Sequence, residues 1–135
     1  MKLKIINLEG VYFEGDVESV NVNTSNGQLT ILQDHLPLIS NIHISCLTIN
    51  DGNDVQYYSI AGGMLFVSED MTKIITPAIE NSNEIDISRA IEAQKRAQNR
   101  LDTKDENTDV KRAEVALLRA INRINTYDAY HVSSR

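Results

Sequence analysis

The sequence predicts an α+β fold: an N-terminal antiparallel β-sandwich followed by a C-terminal antiparallel two-helix hairpin. Three observations predict it. All six glycines (10, 15, 27, 52, 62 and 63) and both prolines (37 and 77) precede residue 78. Up to that point, short segments rich in Val, Ile, Thr and Tyr recur between turn signals, the pattern of a sandwich or barrel. Beyond it Ala, Arg, Glu, Gln and Lys dominate, and the apolar spacing changes to three and four. The expected organisation is a sandwich over 1–80, a linker over 81–85, and a hairpin with a frayed tail over 86–135.

The strands are expected at roughly 2–8, 11–14, 17–23, 28–32, 44–50, 55–61, 64–68 and 72–76. Ser19-Val20-Asn21-Val22-Asn23 alternates apolar with polar, as a half-buried strand does. Asn26-Gly27 and Asp51-Gly52 read as type I′ hairpin turns, whose two central residues both need positive φ. Gly62-Gly63 ends one strand and marks a bulge or a close backbone approach. Ala78–Glu84 is polar and without periodicity, which suits a connection.

The first helix is expected to start with Asp86 as N-cap and to end near Leu101 or Asp102. After a polar connection, Asn107 or Thr108 caps the second, with Asp109 favourably placed against the helix dipole. That helix should run to about Thr126. Ile87, Ala90, Gln94, Ala97 and Leu101, and then Val110, Ala113, Leu117, Ala120, Ile124 and Tyr127, make two seams of coiled-coil spacing. Joined by a short loop, the helices must be antiparallel neighbours. Four alanines and Gln94 make the seam a weak one, because buried apolar area sets its strength at ~25 cal/mol per Å². Such a pair can dock, detach or straighten according to what it touches.

Charge excludes some function classes. The chain of 135 residues has 19 acidic and 13 basic side chains, a net −6, which argues against a nucleic-acid binder. Aromatic residues are only 5 % of it, so the core must be aliphatic. No apolar run approaches the ~20 residues of a membrane span, and no secretory signal is evident. The single cysteine, Cys46, forms no internal disulfide and suits a reducing compartment. It alternates with Ile44 and is read as a small buried apolar residue. His35, His43 and His131 lack zinc-site spacing, so no metal is expected. No nucleophile, base and orienting acid share a motif, so no catalytic residues are assigned.

All seven arginines lie beyond residue 88. Arg89, Arg96 and Arg100 form one stripe on the first helix, and Arg112, Arg119 and Arg123 repeat the spacing on the second. A solvated face with salt bridges is the ordinary explanation of such charge. Neither Arg119 nor Arg123 has an acid four residues away, however, and two guanidinium rows on one hairpin suit an anionic partner.

Four segments carry a family resemblance. Ile85-Asp86-Ile87-Ser88-Arg89-Ala90 matches an ATP-binding pattern of Ile or Leu, Asp, two free positions, Arg, Ala. Arg112–Arg123 looks like the second helix of a hairpin, Gly27–Leu38 like a glycine-rich strand with a His-x-Pro-Leu loop, and Ser59–Gly63 like a Gly-Gly strand junction. In this order, over nearly the whole chain, the sequence resembles the epsilon subunit of the rotary F-type ATP synthase. Thr30 and Asp34 stand where that family usually has glycine, and Phe66 where it usually has Glu.

The resemblance implies a non-catalytic central-stalk subunit of a proton-translocating complex, peripheral to the cytoplasmic face of the cell membrane. Its sandwich would pack on the gamma subunit above the membrane c-ring, coupling rotation to ATP synthesis at the alpha and beta subunits. The loop residues His35, Pro37 and Leu38 would make subunit contacts. ATP would be a regulatory ligand, not a substrate, held by Glu80, Ile85, Asp86, Arg89, Ala90, Arg96, Arg119 and Arg123. Asp86 would accept from the adenine amino group, and the arginines would meet the triphosphate. The absence of a P-loop glycine run agrees with binding without hydrolysis. Extended, the hairpin would reach into the catalytic head and meet acidic beta-subunit loops. Two other classes fit the residues: a free-standing ATP-binding sensor, and an interaction module for an acidic protein.

Overall fold

Among the described residues, 1–103 and 105–133 of the computed structural model, eight strands lie in one unit, Met1–Asn81, and two helices in a second, Ser82–Arg135. The strands are β1 Lys2–Asn7, β2 Gly10–Asp16, β3 Ser19–Thr24, β4 Gly27–Ile31, β5 Leu38–Asn50, β6 Val55–Val67, β7 Thr72–Ile75 and β8 Ile79–Asn81. Their order is β2-β1-β7-β6-β5-β3-β4, with β8 also on β6. Two of them make the sandwich. β5 and β6 are 13 residues each and pair from Leu38↔Val67 to Asn50↔Val55, so this ribbon belongs to both layers. β7 pairs with Met64–Val67 of β6 and β8 with Tyr58–Ile60, one in each layer.

The core follows from alternation. Leu3, Ile5, Leu65 and Ile74 from one layer meet Val20, Val22, Ile31, Leu47, Ile49 and Ile60 from the other, all buried. Fully burying one such side chain is worth about 1.5–3 kcal/mol. Tyr58 faces this core, and its neighbour Tyr57 lies on the opposite side of β6, half-buried.

Several expectations need correction. The sandwich is not purely antiparallel, because β1 and β7 pair in parallel (Leu3↔Thr72 to Ile6↔Ile75). β5 begins at Leu38 rather than 44, and β6 runs on through Gly62-Gly63 instead of stopping there. The register is unchanged from Leu38↔Val67 to Asn50↔Val55, but His43 and Gly62, which stand opposite each other, are not paired, and the buried face of the ribbon changes there. Before this point Ser40 and Ile42 point inward; after it Ser45, Leu47 and Ile49 do. The face carrying Cys46 and Ile44 is therefore the outer one, and both are half-buried there instead of belonging to the core.

The turns also differ. In each the positive φ falls on glycine (Gly27 108°, Gly52 97°) and not on Asn26 or Asp51. Thr24 pairs with Gly27, so Ser25 and Asn26 make the bend and Gly27 re-enters the ladder, as in a type I turn with a glycine bulge. Thr24 Oγ donates to the Gly27 carbonyl (2.7 Å) and accepts from Asn26 N–H (3.2 Å). Four residues, Asp51 to Asp54, join Asn50 to Val55. There Asp51 Oδ1 accepts from the N–H groups of Asn53 (2.9 Å) and Asp54 (2.8 Å).

Within the polar stretch Ala78–Glu84, Ile79–Asn81 form β8 and Ser82–Glu84 a 3₁₀ turn. In the second unit, α1 spans Ile87–Asp102 and α2 spans Val110–Ser133. Asp86 caps α1 by accepting from Arg89 N–H (3.2 Å). The cap of α2 is neither Asn107 nor Thr108. Asp109 accepts from Arg112 N–H (3.0 Å), three residues on, while Thr108 Oγ is engaged with Asp105. α2 continues past Thr126 to Ser133, and Ser134 and Arg135 lie outside the described residues. Contacts of the 3₁₀ turn, just ahead of α1, with α2 fit an antiparallel return. Ala90, Ala97, Ala113 and Ala120 are each at most 3 % exposed and form the seam.

Candidate functional site

Of the residues expected to hold a nucleotide, Glu80 lies in β8 of the first unit and the other seven in the second. Ile85 is buried, and Ala90 is fully enclosed as a seam residue. Asp86 and Arg89 are brought together: besides the cap, Arg89 Nε lies 3.6 Å from Asp86 Oδ2, with the Arg89 side chain 82 % exposed and that of Asp86 54 %. Both groups thus stand at the surface at the start of α1. Arg96 and Arg119 are exposed, and Arg123 is half-buried.

The arrangement of the arginines follows from the seam. Arg89, Arg96 and Arg100 each immediately precede a seam residue (Ala90, Ala97, Leu101), and so do Arg112, Arg119 and Arg123 (Ala113, Ala120, Ile124). One residue back on an α-helix is about 100° around the axis, so both rows lie to the same rotational side of their seams. Two antiparallel helices are related by a twofold axis across the seam, and that operation preserves the sense of rotation. Both rows therefore come to one broad face of the hairpin. At the loop end this is visible directly, where Arg100 of α1 and Arg112 of α2 line one hollow of 370 Å³. Sequence reading found the two stripes but not that they share a face, which needs the packing direction.

The sandwich carries a second candidate surface. Cross-strand pairing aligns Val11, Ile6, Ile75 and Met64 in one row on the outer side of the layer containing β1, β2 and β7. Phe66 and Ile39 pair beside it. Val11 is 55 %, Ile75 43 % and Ile39 67 % exposed. Phe66, the residue that replaces the usual Glu of the resembled family, thus adds to an apolar face. The outer side of β3 and β4 is different in kind, with Asn21, Thr30 and Gln28 hydrogen-bonded to one another. No sequence pattern announced the apolar row, because its members come from four strands and meet only through register.

The loop before β5 holds the expected contact residues. Pro37 is exposed, Leu38 is half-buried against the core, and His35 Nδ1 lies 2.7 Å from the Leu36 carbonyl. Leu36 itself is exposed at its tip. Among the described residues no three His, Cys, Asp or Glu converge as metal ligands, and no helix is long and apolar enough to cross a membrane.

Comparison with known proteins bears on both units. Residues 1–82 match the family model of the ATP synthase delta/epsilon chain beta-sandwich domain, and residues 83–128 that of its long alpha-helix domain. The chain is similar to the ATP synthase epsilon chain of Priestia megaterium, 37 % identical over 105 residues that cover 78 % of each chain. It is likewise similar to that of Bacillus cytotoxicus, 37 % identical over 81 % of this chain and 82 % of the relative. A chain of the Euglena gracilis mitochondrial ATP synthase shares the fold, with a TM-score of 0.76 and 18 % identity over 98 % of this chain and 80 % of that one. One from the Tetrahymena thermophila mitochondrial ATP synthase does so with a TM-score of 0.58 and 13 % identity, over 96 % and 95 %. Matched in both of its units and over most of its length, the chain belongs to the delta/epsilon family of ATP synthase subunits, as a non-catalytic epsilon chain.

Proposed function

We propose that this epsilon chain works in the central stalk, where its sandwich joins the rotor and its hairpin senses ATP and regulates hydrolysis. The apolar row from Val11 to Met64 is the surface that suits a permanent neighbour, and the gamma subunit is the neighbour the family relation supplies. The loop of His35, Pro37 and Leu38, with Leu36 exposed at its tip, faces the c-ring. Held in this way, the chain lies at the cytoplasmic face of the cell membrane without entering it.

The observation that carries the nucleotide reading is the shared face of the two arginine rows. Arg89, Arg96, Arg119 and Arg123 offer planar guanidinium forks to one side of a closed hairpin, and such forks match phosphate oxygens in pairs. Asp86, at the same surface, is placed to accept from the adenine amino group. ATP stabilises the closed hairpin because the rows share one face only while the helices pack side by side. Opened out, about 40 helical residues span ~60 Å. The arginines are then released to acidic loops of the beta subunit, and hydrolysis stops. ATP shifts this balance only as far as its affinity differs between the two shapes.

Titration of the full chain with ATP tests the reading. Saturable binding is expected, weakened at least about tenfold by Arg89→Ala or Arg119→Ala, the loss of one charge-assisted pair. Binding unchanged in both variants overturns the site. Recovery of the chain from cells without any gamma subunit would favour a free-standing sensor instead.

A further inference from the structure

The two arginines at the loop end have no role in the nucleotide reading, yet the sequence sets them in place twice. Arg-Ala, five residues, Arg-Ala, two residues, Arg occurs at 89–100 and again at 112–123. Across the pseudo-twofold axis, the last arginine of the first copy, Arg100, comes level with the first arginine of the second, Arg112. Both are exposed, and both line the 370 Å³ hollow. Neither has an ion pair or hydrogen bond from its guanidinium among the described residues. Asn107 lines the same hollow with its carboxamide uncommitted. Thr108 Oγ already donates to Asp105, and the Asp109 carboxylate only accepts, so neither supplies a donor.

We propose that this hollow at the hairpin tip binds a phosphate group, clamped between the guanidinium of Arg100 on α1 and that of Arg112 on α2. Two like charges from opposite helices line one hollow with a single carboxylate, Asp109, among them. A tetrahedral dianion relieves their repulsion and presents oxygens to both forks and to the Asn107 amide, which a single carboxylate does not. Occupied, the site ties the two helices together at the end farthest from Asp86. It shares no residue with the proposed nucleotide site and does not rest on that reading. The phosphate group can be free orthophosphate or one carried by a nucleotide.

The test uses the full chain, titrated with sodium phosphate against sodium chloride at equal ionic strength and followed by NMR at Arg Nε–H and at the amides of Asn107 and Arg112. Expected is a saturable shift with phosphate and none with chloride, together with a rise in Tm. Arg100→Gln and Arg112→Gln should each weaken it about tenfold, and Arg89→Gln should leave it unchanged. These are exposed positions, so the fold tolerates the changes. A parallel ATP titration of the Arg89→Gln/Arg123→Gln double variant separates the two sources. Saturation by orthophosphate identifies the free anion, and saturation by ATP alone identifies a nucleotide-borne group. If neither ligand saturates the tip, or if Arg100→Gln and Arg112→Gln do not weaken it, the site does not exist, whatever becomes of ATP binding elsewhere.

Discussion

Asp34 has a backbone φ of +67°, the left-handed region in which a side chain crowds its own carbonyl. The resembled family usually places glycine here, so the backbone shape is kept and the residue is not. Asp tolerates the region better than most residues, but a β-branched side chain does not. Asp34→Val should cost about 1–2 kcal/mol in urea unfolding. Asp51 shows another local device. Backbone N–H groups, first of Asn53 and then of Asp54, hold its carboxyl below the ordinary aspartate value. A folded pKa below the unfolded one means stability that is present above the unfolded value, about 3.9, and lost as pH falls through the folded one. An NMR titration of the Asp51 carboxyl should therefore give a midpoint below 3.9, as an order-of-magnitude guide, and Asp51→Asn should remove this part of the acid sensitivity.

At the scale of the element, β6 depends on its paired glycines. A Cβ on Gly63 would overlap the Ile75 carbonyl oxygen, and φ there is +136°. Thr76 holds the same corner from beneath: its buried Oγ donates to the Gly62 carbonyl (2.7 Å), and its N–H to the Ile6 carbonyl (2.9 Å). Gly63→Ala should destabilise the sandwich by about 3 kcal/mol or more, measured by thermal or urea unfolding. How much of these elements the sequence discloses depends on how local the cause is. Val20 and Val22 alternate with Asn21 and Asn23, and that alone fixes β3. The alanine seam is equally plain from spacing. By contrast, the buried face of β5 changes at the unpaired His43 and Gly62, so Ile44 lies outward although Ile42 lies inward, and Cys46 goes with Ile44. The cap of α2 is ambiguous in sequence for a related reason: Asn107, Thr108 and Asp109 can all cap a helix, and only the turn that engages Thr108 with Asp105 leaves the role to Asp109.

For the whole molecule, the decisive contrast is between two outer faces of the sandwich. One carries hydrogen-bonded Asn21, Thr30 and Gln28, and the other carries Val11, Ile6, Ile75 and Met64. If the apolar face joins the gamma subunit, Ile75→Lys with Met64→Lys should abolish co-purification with it while leaving Tm within a few degrees, because both side chains point away from the core. The matching change on the other face, Gln28→Lys, should leave co-purification intact. This surface and the common face of the arginines were the parts of the candidate sites that sequence could not disclose, since both arise from residues far apart in the chain. The Ile-Asp-x-x-Arg-Ala stretch was readable because its members are neighbours on one helix turn.

The 13-residue ribbon of β5 and β6 has a mechanical consequence. Because the same two strands supply hydrogen bonds on both sides of the core, neither half can peel off while the other persists. Amide protons of Leu47, Ile49, Tyr58 and Leu65 should then exchange at a single slow rate, set by global opening. If the chain is carried on a rotor, as proposed, the repeated load meets a sandwich with no internal seam, which responds as one block.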